Sequence, residues 1–119
     1  MLCTGKVYYD LFEEREKRGI EYVYIMRVEQ LYPFPDKALA AELQRFPGAE
    51  IVWCQEEPKN MGAWFFVAPE IETIMEQLET KQRRLRYAGR PASASPATGL
   101  YKRHVKEQAQ LVDEALSLK

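Results

Sequence analysis

The sequence predicts an α/β domain, a layered structure with a largely parallel sheet flanked by helices. Two observations carry this expectation. Short apolar runs rich in Val, Ile, Tyr and Trp alternate with longer segments whose apolar residues recur at helical spacing. Glycine and proline fall between these segments, and nothing repeats internally. A length of 119 residues suits a single domain, residues 1–119, able to bury a core without disulfide or metal support.

Leu2 to Thr4 reads as a short strand ending at Gly5. Val7, Tyr8, Leu11 and Phe12 then follow helical spacing through the charged run Glu13 to Arg18, up to a stop at Gly19. From Tyr22 to Val28 both faces are apolar as far as Arg27. That is the pattern of a strand covered by helices on either side, and it places this strand at the centre of the sheet. Pro33 and Pro35 bar regular structure, after which Asp36 is positioned to cap a helix carrying Leu39, Ala40, Leu43 and Phe46, ended by Pro47-Gly48.

Ile51-Val52-Trp53-Cys54 forms a third strand, with Trp53 in the core. Beyond Glu56-Glu57-Pro58, the residues Trp64, Phe65, Val67, Ile71, Ile74, Met75 and Leu78 make a long amphipathic helix that Pro69 is expected to interrupt. Arg84 to Tyr87 is the last strand, and a small-residue loop runs from Gly89 to Gly99. The final helix carries Tyr101, Val105, Gln108, Val112, Ala115 and Leu116 at helical spacing.

Seventeen basic and eighteen acidic residues leave a net charge of −1, so no nucleic acid or anionic membrane is expected as a partner. No apolar stretch is long enough to span a bilayer, and Met1 to Gly5 lacks the features of a signal peptide. Cys3 and Cys54 are too few for a disulfide scaffold and read as buried strand residues in a reducing compartment. His104, the single histidine, cannot build a metal site alone and reads as a surface or cap residue.

Functional loops of an open parallel sheet lie at the carboxyl ends of its strands, which here gathers Gly5-Lys6, Glu29 to Pro35 and Gln55 to Asn60. Lys6 opens a helix whose amides can hold an anion, but the remaining residues of a phosphate loop are missing, and a plain turn is the favoured reading. Glu56 and Glu57 are paired acids without a nearby histidine or nucleophile. They either cap a helix start at Asn60 to Gly62 and face a neighbouring subunit or form a solvated turn, and the resemblance described below favours the former. Trp64 is an interface anchor or a packing residue. Arg90 with Ser93, Ser95 and Thr98 offers donors for a phosphate or carboxylate, although Ser and Thr capping the last helix, with Pro96 in its first turn, is favoured.

Four ordered segments carry a resemblance. They are Leu2-Cys3-Thr4-Gly5-Lys6-Val7-Tyr8-Tyr9-Asp10-Leu11, then Arg27 to Pro35, then Trp53 to Trp64, and last Tyr87 to Gly99. Together they resemble the C-terminal end of the thiamine-diphosphate-dependent decarboxylating component of 2-oxoglutarate dehydrogenase, a transketolase-like family. The resemblance runs from Leu2 to the end of the chain. It implies a sheet flanked by helices and a domain at the C-terminal end of a much longer enzyme of the citric acid cycle. That enzyme decarboxylates 2-oxoglutarate and passes a succinyl group to lipoamide.

In such an enzyme thiamine diphosphate and magnesium sit in the preceding domains. The Gly-Asp-Gly and distant Asn that hold them do not occur here, so no catalytic, cofactor-binding or metal residue is carried onto this chain. The resemblance implies an assembly role, with regulation as a second expectation. Glu56, Glu57, Asn60 and Trp64 are the candidate interface. Lys6, Arg90, Ser93 and Ser95 are the candidate contacts to an anion or to an effector such as acetyl-CoA or AMP.

Expected partners are the parent's other domains, its second subunit and dihydrolipoyl succinyltransferase, together with weak self-association. The expected location is the cytoplasm of a bacterium or the mitochondrial matrix of a eukaryote. The alternative is a free-standing α/β module that binds a small anion or nucleotide at the strand carboxyl ends.

Overall fold

The computed structural model describes residues 1–94 and 101–117. Strands and helices alternate as β1 (Leu2–Cys3), α1 (Val7–Arg18), β2 (Met26–Arg27), α2 (Asp36–Gln44), β3 (Val52–Gln55), α3 (Trp64–Gln77), β4 (Arg86–Gly89) and α4 (Tyr101–Leu116). The four strands form one sheet in the order β2-β1-β3-β4, every neighbouring pair parallel. The expected α/β architecture with a parallel sheet is therefore present.

Strand side chains alternate between two faces, and each face has its own core. Leu2, Ile51, Trp53 and Leu85 join Leu39 and Leu43 of α2 and Val67, Ile71 and Met75 of α3. Cys3, Val52, Cys54 and Ala88 join Val7 and Leu11 of α1 and Leu111, Val112 and Ala115 of α4. Trp53 is fully buried, as its mid-strand position predicts. At about 25 cal/mol per Å² for the 150–250 Å² of an aromatic side chain, its burial alone contributes about 4–6 kcal/mol before entropy is set against it.

Several expectations need correction. The segment Tyr22 to Val28 is not a central strand: only Met26–Arg27 pair, and they form the sheet's edge. Val23 and Ile25 on one side of it pack against the α1–α4 core, while the aromatic rings on the other side stay largely exposed. Tyr22 is 62% exposed and Tyr24 42%. The Tyr24 ring lies 4.7 Å from that of Phe46, with the Arg45 guanidinium over both. The centre belongs to β1 and β3, where Leu2, Cys3, Trp53 and Cys54 are wholly buried.

Asp36 is the first residue of α2 rather than its cap, and its Oδ1 accepts from the Lys37 N–H at 2.9 Å. Pro69 lies within α3 without interrupting it. Proline removes the bond to the carbonyl four residues back, which belongs to Phe65 in the solvent-facing first turn, where that loss is tolerated. The last strand runs from Arg86 to Gly89, two residues later than expected. α1 stops at Gly19 as expected, with Arg15, Lys17 and Arg18 in its last turn complementing the helix dipole.

Candidate functional site

Strand order reverses between β1 and β3: β2 lies on one side of this pair and β4 on the other. Such a reversal splays the following connections apart and opens a crevice beyond the strand carboxyl ends. Lys6 follows β1 and Glu56 follows β3, and they meet across the crevice with Nζ 3.1 Å from Oε1. The hydrogen bond to Glu56, then that carboxylate's charge, raises the Lys6 pKa. Lys6 is largely exposed, so the pair contributes at most about 1 kcal/mol. Gln108 of α4 ties the same Glu56 oxygen at 2.9 Å and Asp10 of α1 at 2.8 Å.

Below this crevice the end of β3 shapes the next loop. Gln55 is the buried polar residue of the described chain, 1% exposed. Its Oε1 accepts from Trp53 Nε1 at 3.0 Å. Its Nε2 donates toward three carbonyls, those of Glu57, Pro58 and Met61, at 3.1, 3.0 and 2.9 Å. One amide thus satisfies the inner backbone of the Glu56 to Met61 turn, which otherwise would bury unpaired carbonyls. The turn closes at Gly62, whose φ of 64° is one that favours glycine, and a Cβ there would lie 2.8 Å from Glu57 Oε2, so that carboxylate would have to shift.

The β4 connection is stitched to the same turn. The Lys59 N–H donates to the Arg90 carbonyl at 3.1 Å, and the Tyr87 hydroxyl donates to that carbonyl at 2.7 Å. Asn60 Nδ2 donates to the Ser93 carbonyl and the Ser93 N–H donates back to Asn60 Oδ1, both at 2.9 Å. Arg90, 10% exposed at its side chain, pairs through Nε with Glu107 of α4 at 2.9 Å. Trp64 is half-buried against the Tyr87 ring, centroids 5.0 Å apart, while Lys59 Nζ sits over both rings. Its neighbours Phe65 and Phe66 are exposed.

The described polar side chains of this edge are engaged with one another. Glu56 is engaged by Lys6 and Gln108, and burial pushes the Tyr87 hydroxyl up to about 12, so it stays protonated at neutral pH. Burial also raises the thiol of Cys3 to about 11 and that of Cys54 further, so both are packing residues with little thiolate.

Residues 1–116 match the family described as 2-oxoglutarate dehydrogenase C-terminal. The chain belongs to this family. The E1 components of 2-oxoglutarate dehydrogenase from Brucella anthropi, Brucella ovis and Brucella suis are each 63% identical to it over 116 residues. The match takes in 98% of this chain and 12% of each relative, so the chain spans about an eighth of their length.

Among the described residues no group of three or more His, Cys, Asp or Glu can hold a metal ion, and the crevice carboxylate Glu56 is already engaged. Among the described residues no helix is long and apolar enough to cross a membrane. Of the candidate residues, Lys6, Glu56, Glu57, Asn60, Trp64, Arg90 and Ser93 all lie along the carboxyl edge of the domain, whereas Ser95, with Pro96 and Thr98, falls outside the described residues.

The expected capping by Glu56 and Glu57 is not found. α3 begins at Trp64 after Ala63, with no side-chain cap bond. The two acids diverge as adjacent residues do, Glu56 toward Lys6 and Glu57 over Gly62. His104 is exposed on α4. Glu107 escaped the sequence reading, and Gln55, Tyr87 and Gln108 entered it only as members of a loop, a strand and a helix, without the contacts they make. Gln55 had one signal, an amide ending a buried apolar strand just before a Glu-Glu-Pro turn, where an interior partner is needed.

Proposed function

We propose that this chain is the C-terminal assembly domain of a 2-oxoglutarate dehydrogenase E1 component. The observation that carries the reading is 63% identity to E1 components across 98% of the chain. In this reading the parent enzyme uses thiamine diphosphate and magnesium to decarboxylate 2-oxoglutarate and passes the succinyl group to lipoamide on dihydrolipoyl succinyltransferase. This chain contributes no step of that chemistry. Its carboxyl edge, with Glu56, Glu57, Asn60 and the exposed aromatics beside Trp64, faces the parent's other domains and second subunit, and regulation is a secondary role. In a bacterial host of the kind the relatives come from, the enzyme works in the cytoplasm.

The stitched edge supports a docking role because its loops are held rigid before any partner arrives, which lowers the ordering cost of association. Reception of an anion at Lys6, Arg90, Ser93 and Ser95 is the second reading. It requires the ligand to displace Glu56 from Lys6 and Glu107 from Arg90. In the full-length enzyme, Arg90→Lys then loses effector response because the planar fork is gone although the charge remains.

An antibody raised against this domain tests the main reading on a denaturing gel of the source cells. A product many times the size of this chain is expected, and the purified chain should release no carbon dioxide from 2-oxoglutarate with thiamine diphosphate and magnesium. A product of this chain's own size, or turnover by the chain alone, overturns it.

A further inference from the structure

Cys3 and Cys54 are the two cysteines of the chain, and the fold sets them side by side. They are register partners on β1 and β3, the two central strands. Paired residues on neighbouring strands send their side chains to the same face, and both thiols enter the α1–α4 core without exposure to solvent. Neighbouring strands run about 4.8 Å apart. That separation lies inside the range of about 4.4–6.8 Å that a disulfide spans between Cα atoms. The two groups also feel each other: after burial, the charge of Cys3 is the next cause raising the Cys54 pKa.

In the reduced chain the two sulfurs serve different neighbours. Cys3 Sγ leans toward the edge strand and donates to the Met26 carbonyl of β2 at 3.8 Å. Joining it to Cys54 turns that sulfur about χ1 to the β3 side and takes the donor from the Met26 carbonyl. Register partners of parallel strands stand side by side without converging, so their Cβ atoms stay wider apart than the about 3.8 Å of a relaxed disulfide. A bond made there is strained and readily reduced, which suits a reversible link better than a permanent staple.

Leu111, Val112 and Ala115 of α4 share the core with both thiols, and no solvent reaches either sulfur. Reaction therefore waits for this layer to open locally, when the thiols recover ordinary acidity.

We propose that Cys3 and Cys54 are a reversible dithiol site, which low-molecular disulfides oxidise to a cross-strand bond between β1 and β3. One cysteine thiolate attacks a sulfur of the oxidant, so a mixed disulfide forms, the oxidant's own S–S bond breaks and one thiolate leaves. The other cysteine thiolate then attacks the protein sulfur of that mixed disulfide. The bond between Cys3 and Cys54 forms and the second thiolate leaves. Two protein thiols are oxidised, the oxidant is reduced to two thiols, and the protons given up by the cysteines end on them. The link lies just before Lys6 and Glu56 on their strands, so it fastens from below the two loops that this ion pair joins across the crevice. It is a property of the two strands and stands whatever the parent enzyme does.

The test equilibrates the 119-residue chain with glutathione and its disulfide in graded ratios, in native buffer and in concentrated urea. Intact mass after alkylation of the remaining thiols reads the fraction closed. The effective concentration of one cysteine for the other is expected to be higher in native buffer by about tenfold or more, because the fold holds the pair adjacent. The closed chain then unfolds at a higher urea midpoint than the reduced chain, and in Cys3→Ser the midpoint no longer follows the glutathione ratio. The first comparison uses the wild-type chain alone, so it decides even where Cys3→Ser fails to fold. An effective concentration in native buffer equal to or below that in urea means that the fold keeps the sulfurs apart and overturns the proposal. So does a product in which each cysteine carries its own glutathione or pairs with a second chain.

Discussion

Asn60 and Ser93 bind each other twice, the side-chain amide of one meeting both backbone groups of the other at 2.9 Å. The asparagine thus behaves toward Ser93 as a strand neighbour would, and it fastens the connection after β4 to the turn after β3. Asn60→Asp replaces the donor with a second acceptor facing the Ser93 carbonyl, whereas Asn60→Ala removes both bonds without repulsion. We expect exchange at the Ser93 amide to rise about tenfold in the alanine variant and further in the aspartate variant, as loss of one to two exposed hydrogen bonds requires. Exchange unchanged in both would mean that the connection is held by Lys59 and Tyr87 alone.

Gln55 gives a sharper expectation because it is buried. Gln55→Leu strands the Trp53 indole N–H and the three carbonyls it now serves, at about 1–3 kcal/mol for each group that water cannot reach. Gln55→Glu keeps the shape but points a carboxylate at those carbonyls and should be the worse of the two. Urea midpoints at neutral pH check the order. A leucine variant as stable as the wild type would show that the turn can re-form without its amide.

Much of the fold was legible because α1, α3 and α4 keep a helical period over many residues and the strands are short apolar runs between glycines. Strand order was not. The two-sided apolar pattern of Tyr22 to Val28 is the same whether helices or an Arg45-capped aromatic stack cover it, so a local pattern could not separate centre from edge. Most of the site was legible as loops and invisible as contacts. Glu56 and Gln108, 52 positions apart, share a hydrogen bond that no spacing rule encodes. Gln55 and Tyr87 looked like the polar ends of strands, although they are what hold the loops in place.

Alkaline pH should unfold the domain early. Burial raises Cys3 from 9.0 to about 11 and Tyr87 from 10.0 to about 12, and Cys54 moves the same way. Each group is held neutral in the folded state, so above pH 9 the unfolded chain releases protons that the folded chain keeps. Their contribution is complete below pH 9 and is lost as pH climbs through about 11 to 12. Urea unfolding between pH 9 and 11 should show stability falling as pH rises, with Cys54→Ala flattening the decline. A rise in stability across that interval would contradict the assigned direction.

Phe65, 68% exposed, is a better probe of docking than Trp64, which packs on Tyr87. We expect Phe65→Ser to change folding stability by less than about 0.5 kcal/mol while weakening self-association in sedimentation. Trp64→Ala should cost about 2–3 kcal/mol, below the loss for a fully buried tryptophan, and so confuse folding with docking. A wild-type chain that stays monomeric at every concentration would remove the reason for this surface to be apolar.

The sheet is also a partition. β1, β3 and β4 hand alternate side chains to two cores that share no residue, Trp53 going to one and Cys54 to the other. Substitutions placed in different cores should therefore sum, since distant sites without common neighbours act separately. Lineages can then rewrite the α2–α3 layer while leaving the α1–α4 layer alone, or the reverse, without epistasis between them. Strand registration is the shared constraint: a slip of one residue in β3 would exchange Trp53 for Cys54 and ruin both interiors together.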